Sequence, residues 1–204
     1  FVKFPVKSGL NGELGDVEPT KVNFVIWTTT PWTLPANLAV ALHPEFQYSA
    51  VAINKEVYVI ADKLLSKLVL DWGIKEYEIL GTCLGADLEE VVCRHPFIDR
   101  DSRIVLGEHV TLEQGTGCVH TAPGHGQEDY VVGQKYGLET YNPVDDGGVF
   151  KSDVAEFGGL FVRKANPLII EKLRSNGYLV HDGTVSHSYP HCWRCHQPII
   201  FRAT

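Results

Sequence analysis

The sequence has no methionine, no repeat or low-complexity tract, and no apolar run near the ~18 residues that a membrane-spanning helix requires. It opens FVKFPVKSG, which is neither an initiator start nor a signal peptide, and it ends at FRAT without a capping signal. Together with the missing methionine, this reads as a fragment of something longer. Positive charge is also short: 18 Lys and Arg stand against 25 Asp and Glu, for a net charge of −7. A free-standing nucleic-acid binder rests its affinity on cationic side chains, so that class is disfavoured. Local contact with an RNA end delivered by other domains is not. Five cysteines, an odd number, do not make a disulfide framework, and a reducing, cytoplasmic compartment is expected.

What is present is the composition of an ordinary globular chain, with strand signals outnumbering helix signals. Residues 1–20 read as a polar, Gly-rich loop or hairpin. Val22 to Trp27 is a buried strand, Leu38 to Leu42 a second apolar run, and Tyr48–Ile53 with Glu56–Ala61 a hairpin about Asn54-Lys55. Asp62 should cap a helix closed by Gly73. Tyr77 begins a strand, Gly81-Thr-Cys-Leu-Gly reads as a connector, and Cys83 and Cys93 as core positions. Arg103–Gly107 and His109–Glu113 read as short strands. Pro167 should sit in the first turn of a helix that starts near Asn166 and ends at Gly177. No regular strand–helix alternation signals a doubly wound sheet. The expected class is α+β, mostly β: a barrel-like mixed sheet with a few covering helices. Residues 1–185 should form the domain proper and 186–204 a distinct tail.

Two stretches carry chemistry. In GTGCVHTAPGHGQEDY (115–130), a tight turn enters a strand, Pro123-Gly124 breaks it, and a short helix follows. This places His120 at the strand end and Asp129 about one turn into the helix, near backbone N–H groups that the helix leaves unpaired. Taken alone, Asp and Glu in a first helical turn merely suit its dipole. In WTTTPWTLPAN (27–37), Thr28, Thr29 and Thr30 offer hydroxyls suited to a phosphate, a sugar or a water. The two prolines bar a continuing strand or regular helix and fix the loop.

These two motifs, in register and at matching spacing, resemble the paired signatures of the editing domain (CP1) inserted in isoleucyl-tRNA synthetase, within the class I Ile/Val/Leu group. The resemblance covers essentially the whole chain. The valyl and leucyl types would carry TTRPET-like and TTRPDT-like first motifs instead.

The resemblance implies a hydrolase that clears Val-tRNA(Ile), with valyl-adenylate as a second substrate. Asp129 would anchor the substrate ammonium through a charge-assisted hydrogen bond. His120 would line and limit the amino-acid pocket and polarise the ester. Thr28, Thr29, Thr30 and Asn37 would hold the terminal adenosine and a water that Thr33 helps to place; Trp32, Gly124 and His125 complete the substrate-binding set. Its partners would be the 3′ end of tRNA(Ile) and the remaining domains of the parent synthetase, with the chain itself a monomer. No cofactor is implied for hydrolysis, and ATP would serve only the parent enzyme. The tail, HSYPHCWRCHQPIIFRAT, resembles the return toward the catalytic core. Its Cys192 and Cys195 are half a zinc site, with His187, His191 and His196 nearby; the resemblance implies that a second CxxC outside this chain completes it.

Two other readings use the same residues. His120, His125, Glu128 and Asp129 form HxxxxHxxED, which would suit a metal-dependent hydrolase, although the Pro-Gly break is unlike two histidines on one helix. A non-catalytic module that binds an RNA end is the third.

Overall fold

The computed structural model describes residues 1–186 and 188–204; His187 lies outside the described residues. Among the described residues, nine strands form one mixed sheet, accompanied by three α-helices. In chain order the elements are β1 (Val2–Ser8), β2 (Val22–Ile26), β3 (Ala39–Leu42), β4 (Gln47–Ile53), β5 (Glu56–Ala61), α1 (Asp62–Asp71), β6 (Glu78–Leu84), β7 (Val92–Arg94), β8 (Asp101–Leu106), β9 (Cys118–Thr121), α2 (Gln127–Lys135) and α3 (Val162–Ser175). The strands lie in the order β6-β4-β5-β2-β1-β7-β8-β3-β9. The β2–β5 and β3–β8 pairs are parallel and the rest antiparallel.

The sheet curls without closing. The segment entering β9 reaches the far half of the sheet, where Ala61 N–H donates to Thr116 O at 2.8 Å and Tyr48 Oη–H to Gly117 O at 2.6 Å. Gly117 has φ +77°, and a Cβ there would lie 2.4 Å from that of Ala61, so only glycine permits this approach. The expected barrel-like form is thus a curled but open mixed sheet, with β6 and β9 at its edges.

Strand β1 corrects the reading of residues 1–20 as a loop. It lies mid-sheet, pairing β2 through Val2–Pro5 and β7 through Val6 and Ser8. Val2, Lys3 and Phe4 are all buried, so no in–out alternation announces the strand. Lys3 survives there because its ammonium meets Glu56 at 2.8 Å. Pro5, which lacks an N–H, stands where the strand changes partner.

Other expectations shift for local reasons. Gly81-Thr-Cys-Leu belongs to β6: a Cβ at Gly81 would meet Leu14 O at 2.3 Å, so the glycine marks a close approach and not a turn. Cys83, on this edge strand, is half-buried, whereas Cys93 is fully buried. His109–Glu113 is not a strand but part of a run of turns and bends between β8 and β9. Asp62 is not the cap but the first residue of α1: Ala61 stands at the N-cap position without a side-chain cap, and Asp62 accepts from Ser49 Oγ at 2.8 Å. The TTTPWTLPAN loop contains a 3₁₀ helix over Pro31–Ala36.

Helix α3 begins at Val162, leaving Pro167 in its second turn. Val162, Ala165, Ile169 and Leu173 fall on one face and are buried. Each large apolar side chain contributes ~1.5–3 kcal/mol, which offsets the hydrogen bond that Pro167 cannot make. Among the described residues, no helix is long and apolar enough to cross a membrane.

Tyr48 is fully buried and also accepts from His43 N–H at 3.0 Å. Tyr48→Phe would strand the Gly117 carbonyl and the His43 amide. It should lower unfolding free energy by about 1–3 kcal/mol in urea titration; an unchanged midpoint would show that these groups find other partners.

Candidate functional site

The loop that follows β2 is held rigidly from within and without. Thr28 Oγ1 accepts from Thr30 N–H at 3.0 Å, and the Thr30 carbonyl receives Thr33 N–H at 3.0 Å and Thr33 Oγ1–H at 2.9 Å. Pro31, first in the 3₁₀ helix, lacks an amide that would have gone unpaired there. From outside, Asn166 Oδ1 on α3 accepts Trp32 N–H at 2.9 Å, and Arg100 donates to Pro35 O at 3.1 Å and Asn37 O at 3.0 Å. His95 Nε2–H donates to Leu34 O at 2.8 Å while its Nδ1 accepts the Phe97 and Ile98 amides. Burial lowers the pKa of His95 to about 4. Sequence reasoning assigned no role to these three clamps, since no spacing rule ties them to the loop.

A cleft of about 300 Å³ runs between the threonine bend and residues 114–120. Thr28, Thr29, Thr30 and His120 line it, and so does His109, which the motif reading passed over. The pairing of β3 with β9 sets Ala39 opposite Thr121 and Val40 opposite His120. The loop before β3 therefore meets the His120 ring. Thr33 Oγ1 lies 2.8 Å from its Nε2, and Asn37 Nδ2 lies 3.1 Å from its Nδ1. Enclosure of the ring lowers its pKa to about 3, with His95 and His125 adding to the effect.

Three expected contact residues occupy supporting positions. Asn37 is fully buried and also donates to Ala39 O at 2.8 Å, so it stands behind the cleft wall. The Thr33 hydroxyl is engaged by Thr30 and His120. Trp32 is buried, with its ring edge-on to that of His125 at 5.0 Å.

Asp129 sits past the end of β9, outside the residues that line this cleft. Its Oδ2 accepts Ala122 N–H at 2.8 Å, and Gly126 leaves it room, since a Cβ there would lie 2.9 Å from Asp129 Cγ. Burial raises the Asp129 pKa from 3.8 to about 6; the Ala122 amide opposes this and Glu128 adds to it. Gly124 packs against the Tyr141 carbonyl, where a Cβ would come within 2.2 Å. His125 Nδ1 lies 3.0 Å from Phe201 O in the tail, and its Nε2 is buried without a partner among the described residues.

Both ring nitrogens of His120 are taken by Thr33 and Asn37, which removes it as a ligand in the HxxxxHxxED reading. Among the described residues, no three His, Cys, Asp or Glu side chains gather as a metal-holding group. Cys192 and Cys195 lie on one turn, in which the Cys195 and Arg194 amides lower the Cys192 pKa.

No protein-family model matches the chain. Its whole length aligns with isoleucine–tRNA ligases from Moorella thermoacetica at 52% identity, Syntrophotalea carbinolica at 54% and Desulfitobacterium hafniense at 55%. It spans 22% of the length of each. Among solved structures it resembles GlLeuRS-CP1, with TM-score 0.64 and 17% identity over 83% of this chain and 85% of that one. It also resembles the P. knowlesi cytosolic leucyl-tRNA synthetase editing domain, with TM-score 0.59 and 13% identity over 78% and 84%. These structural likenesses concern the fold.

The elevated Asp129 pKa has a consequence for stability. Its folded value of about 6 exceeds the unfolded 3.8, so the charged form weakens the fold at neutral pH. That penalty fades as pH falls from 6 toward 4. Asp129→Asn should therefore raise stability at pH 7.5 by about 1 kcal/mol and flatten the pH profile between 4 and 6. A destabilised variant in thermal denaturation would show the carboxylate to be structural.

Proposed function

Since the chain belongs, as a segment, to the isoleucine–tRNA ligase family, we propose that it is the editing domain that hydrolyses the ester of Val-tRNA(Ile), and valyl-adenylate as a second substrate. The observation that carries this reading is the cleft in which a rigid threonine bend faces His120. A synthetic site for isoleucine gains only about 1–3 kcal/mol against valine from one methylene, and this amino-acid pair is the standing example of that limit. A second pocket that admits valine and excludes isoleucine multiplies the discrimination.

In this reading the terminal adenosine enters the cleft, and Thr28 and Thr29 hold it and the attacking water. Asp129 is ionised above its pKa of about 6 and receives the substrate ammonium beside the end of β9. His120 walls the amino-acid pocket. With both nitrogens engaged and the ring neutral, it neither takes a proton nor attacks. Thr33 and Asn37 act through His120, while Trp32, Gly124 and His125 hold the Pro-Gly turn in place. Hydrolysis then proceeds by direct attack of a positioned water on an already labile ester, without an acyl-enzyme. The partners are the 3′ end of tRNA(Ile) and the rest of a cytoplasmic synthetase. Cys192 and Cys195 supply two thiolates to a structural zinc site that ligands outside this chain complete.

Deacylation of mischarged tRNA tests this directly. Asp129→Ala should reduce hydrolysis of Val-tRNA(Ile) at least about 100-fold; normal clearance would remove Asp129 from the site. His120→Ala should open the pocket to Ile-tRNA(Ile), and unchanged discrimination would remove the wall. Activity should survive EDTA, and its loss would favour metal-dependent hydrolysis. Binding without any deacylation would favour the RNA-end module.

A further inference from the structure

We propose that Asn37 is a positioning residue that fixes His120 in its Nε2–H tautomer, so that the cleft meets a rigid uncharged ring in place of a base. The specificity consequence rests on the editing reading; the tautomer itself does not.

The inference begins with the orientation of one amide. Asn37 Nδ2 donates to Ala39 O at 2.8 Å. Turning the amide over would set Oδ1 against that carbonyl, two acceptors face to face, so the orientation is fixed. The atom 3.1 Å from His120 Nδ1 is therefore a donor, and Nδ1 must accept, carrying no proton. In a neutral imidazole the proton is then on Nε2, which donates to Thr33 Oγ1 at 2.8 Å. Thr33 Oγ1 passes its own hydrogen to Thr30 O at 2.9 Å. All donors along Asn37, His120, Thr33 and Thr30 thus run in one direction, ending on the backbone of the threonine bend.

Two further observations agree. Protonating Nδ1 would place two donors against each other inside a buried site, which adds a geometric reason for the low His120 pKa of about 3. Asn37 Oδ1 is buried with no partner among the described residues. Leaving an acceptor unpaired costs about 1–3 kcal/mol, and an amide retained despite this is retained for its two N–H bonds.

The cleft consequently sees ring carbon from His120, because both nitrogens are occupied. Such a wall discriminates by shape alone. Asn37→Asp keeps the shape but replaces the donor with an acceptor. The ring should then take a proton at Nδ1, and Thr33 should lose its donor or surrender its bond to Thr30.

The test is long-range ¹⁵N–¹H correlation NMR of the ¹⁵N-histidine-labelled 204-residue chain, with His120 assigned by His120→Gln. Wild type should show an unprotonated Nδ1 and a protonated Nε2, unchanged from pH 8 to pH 5. Asn37→Asp should move the proton to Nδ1 or charge the ring, while Thr33→Ser should keep the wild-type pattern. Discrimination between valyl and isoleucyl esters should fall by ~10-fold or more in Asn37→Asp. A wild-type ring protonated at Nδ1, or Asn37→Asp spectra identical to wild type, would overturn the assignment. Should Asn37→Asp not fold, the wild-type pattern alone decides. Absence of deacylation in every protein, with the expected spectra, would sink the editing reading and leave the tautomer standing.

Discussion

The antiparallel ladder between β3 and β9 is the constraint on which the site depends. It joins strands whose flanking loops carry both motifs, and its register sets Val40 opposite His120. A slip of one residue would turn every side chain of β9 to the other face and withdraw the histidine from Thr33 and Asn37. The register is secured on both sides. Strand β3 is bonded to β8 as well as β9, and its four residues are all buried. The segment entering β9 is pinned to the far half of the sheet through Thr116 and Gly117.

Rigidity follows from that frame. In the proposed reading, a pocket that separates substrates by one methylene cannot flex by the width of a methyl group. The threonine loop therefore draws bonds from β9, from α3 through Asn166, and from the segment between β7 and β8 through His95 and Arg100. Burial also raises the Asp129 pKa to about 6, which is the strained carboxylate that the proposed reading sets against a substrate ammonium.

Much of this was legible beforehand, and the failures have physical causes. The two motifs single out the bend, His120 and Asp129 because turn residues and hydroxyls cluster there within short spans; the structure sets the bend and His120 on one cleft and leaves Asp129 outside its lining. The hairpin of β4 and β5 and both helix-ending glycines followed from local rules. Strand β1 was missed because a strand buried on both faces, interrupted by Lys3 and Pro5, shows no alternation. Gly81 was misread as a turn since its role depends on Leu14, far away in sequence. Asn37 and Thr33 were expected at the substrate. Only the β3–β9 register reveals that they stand behind His120. His95, Arg100 and His109 carried no local signal at all.

The central claim is that the two motifs converge on one substrate, with the amine at Asp129 and the adenosine against the threonine bend. A crystal structure with a bound non-hydrolysable valyl-adenosine analogue tests it most directly. The expected result has the ammonium within hydrogen-bond distance of the Asp129 carboxylate, the adenosine in the cleft beside Thr28–Thr30, and the valyl methyls against the His120 ring. An analogue bound with its amine remote from Asp129, or outside the cleft altogether, would contradict it.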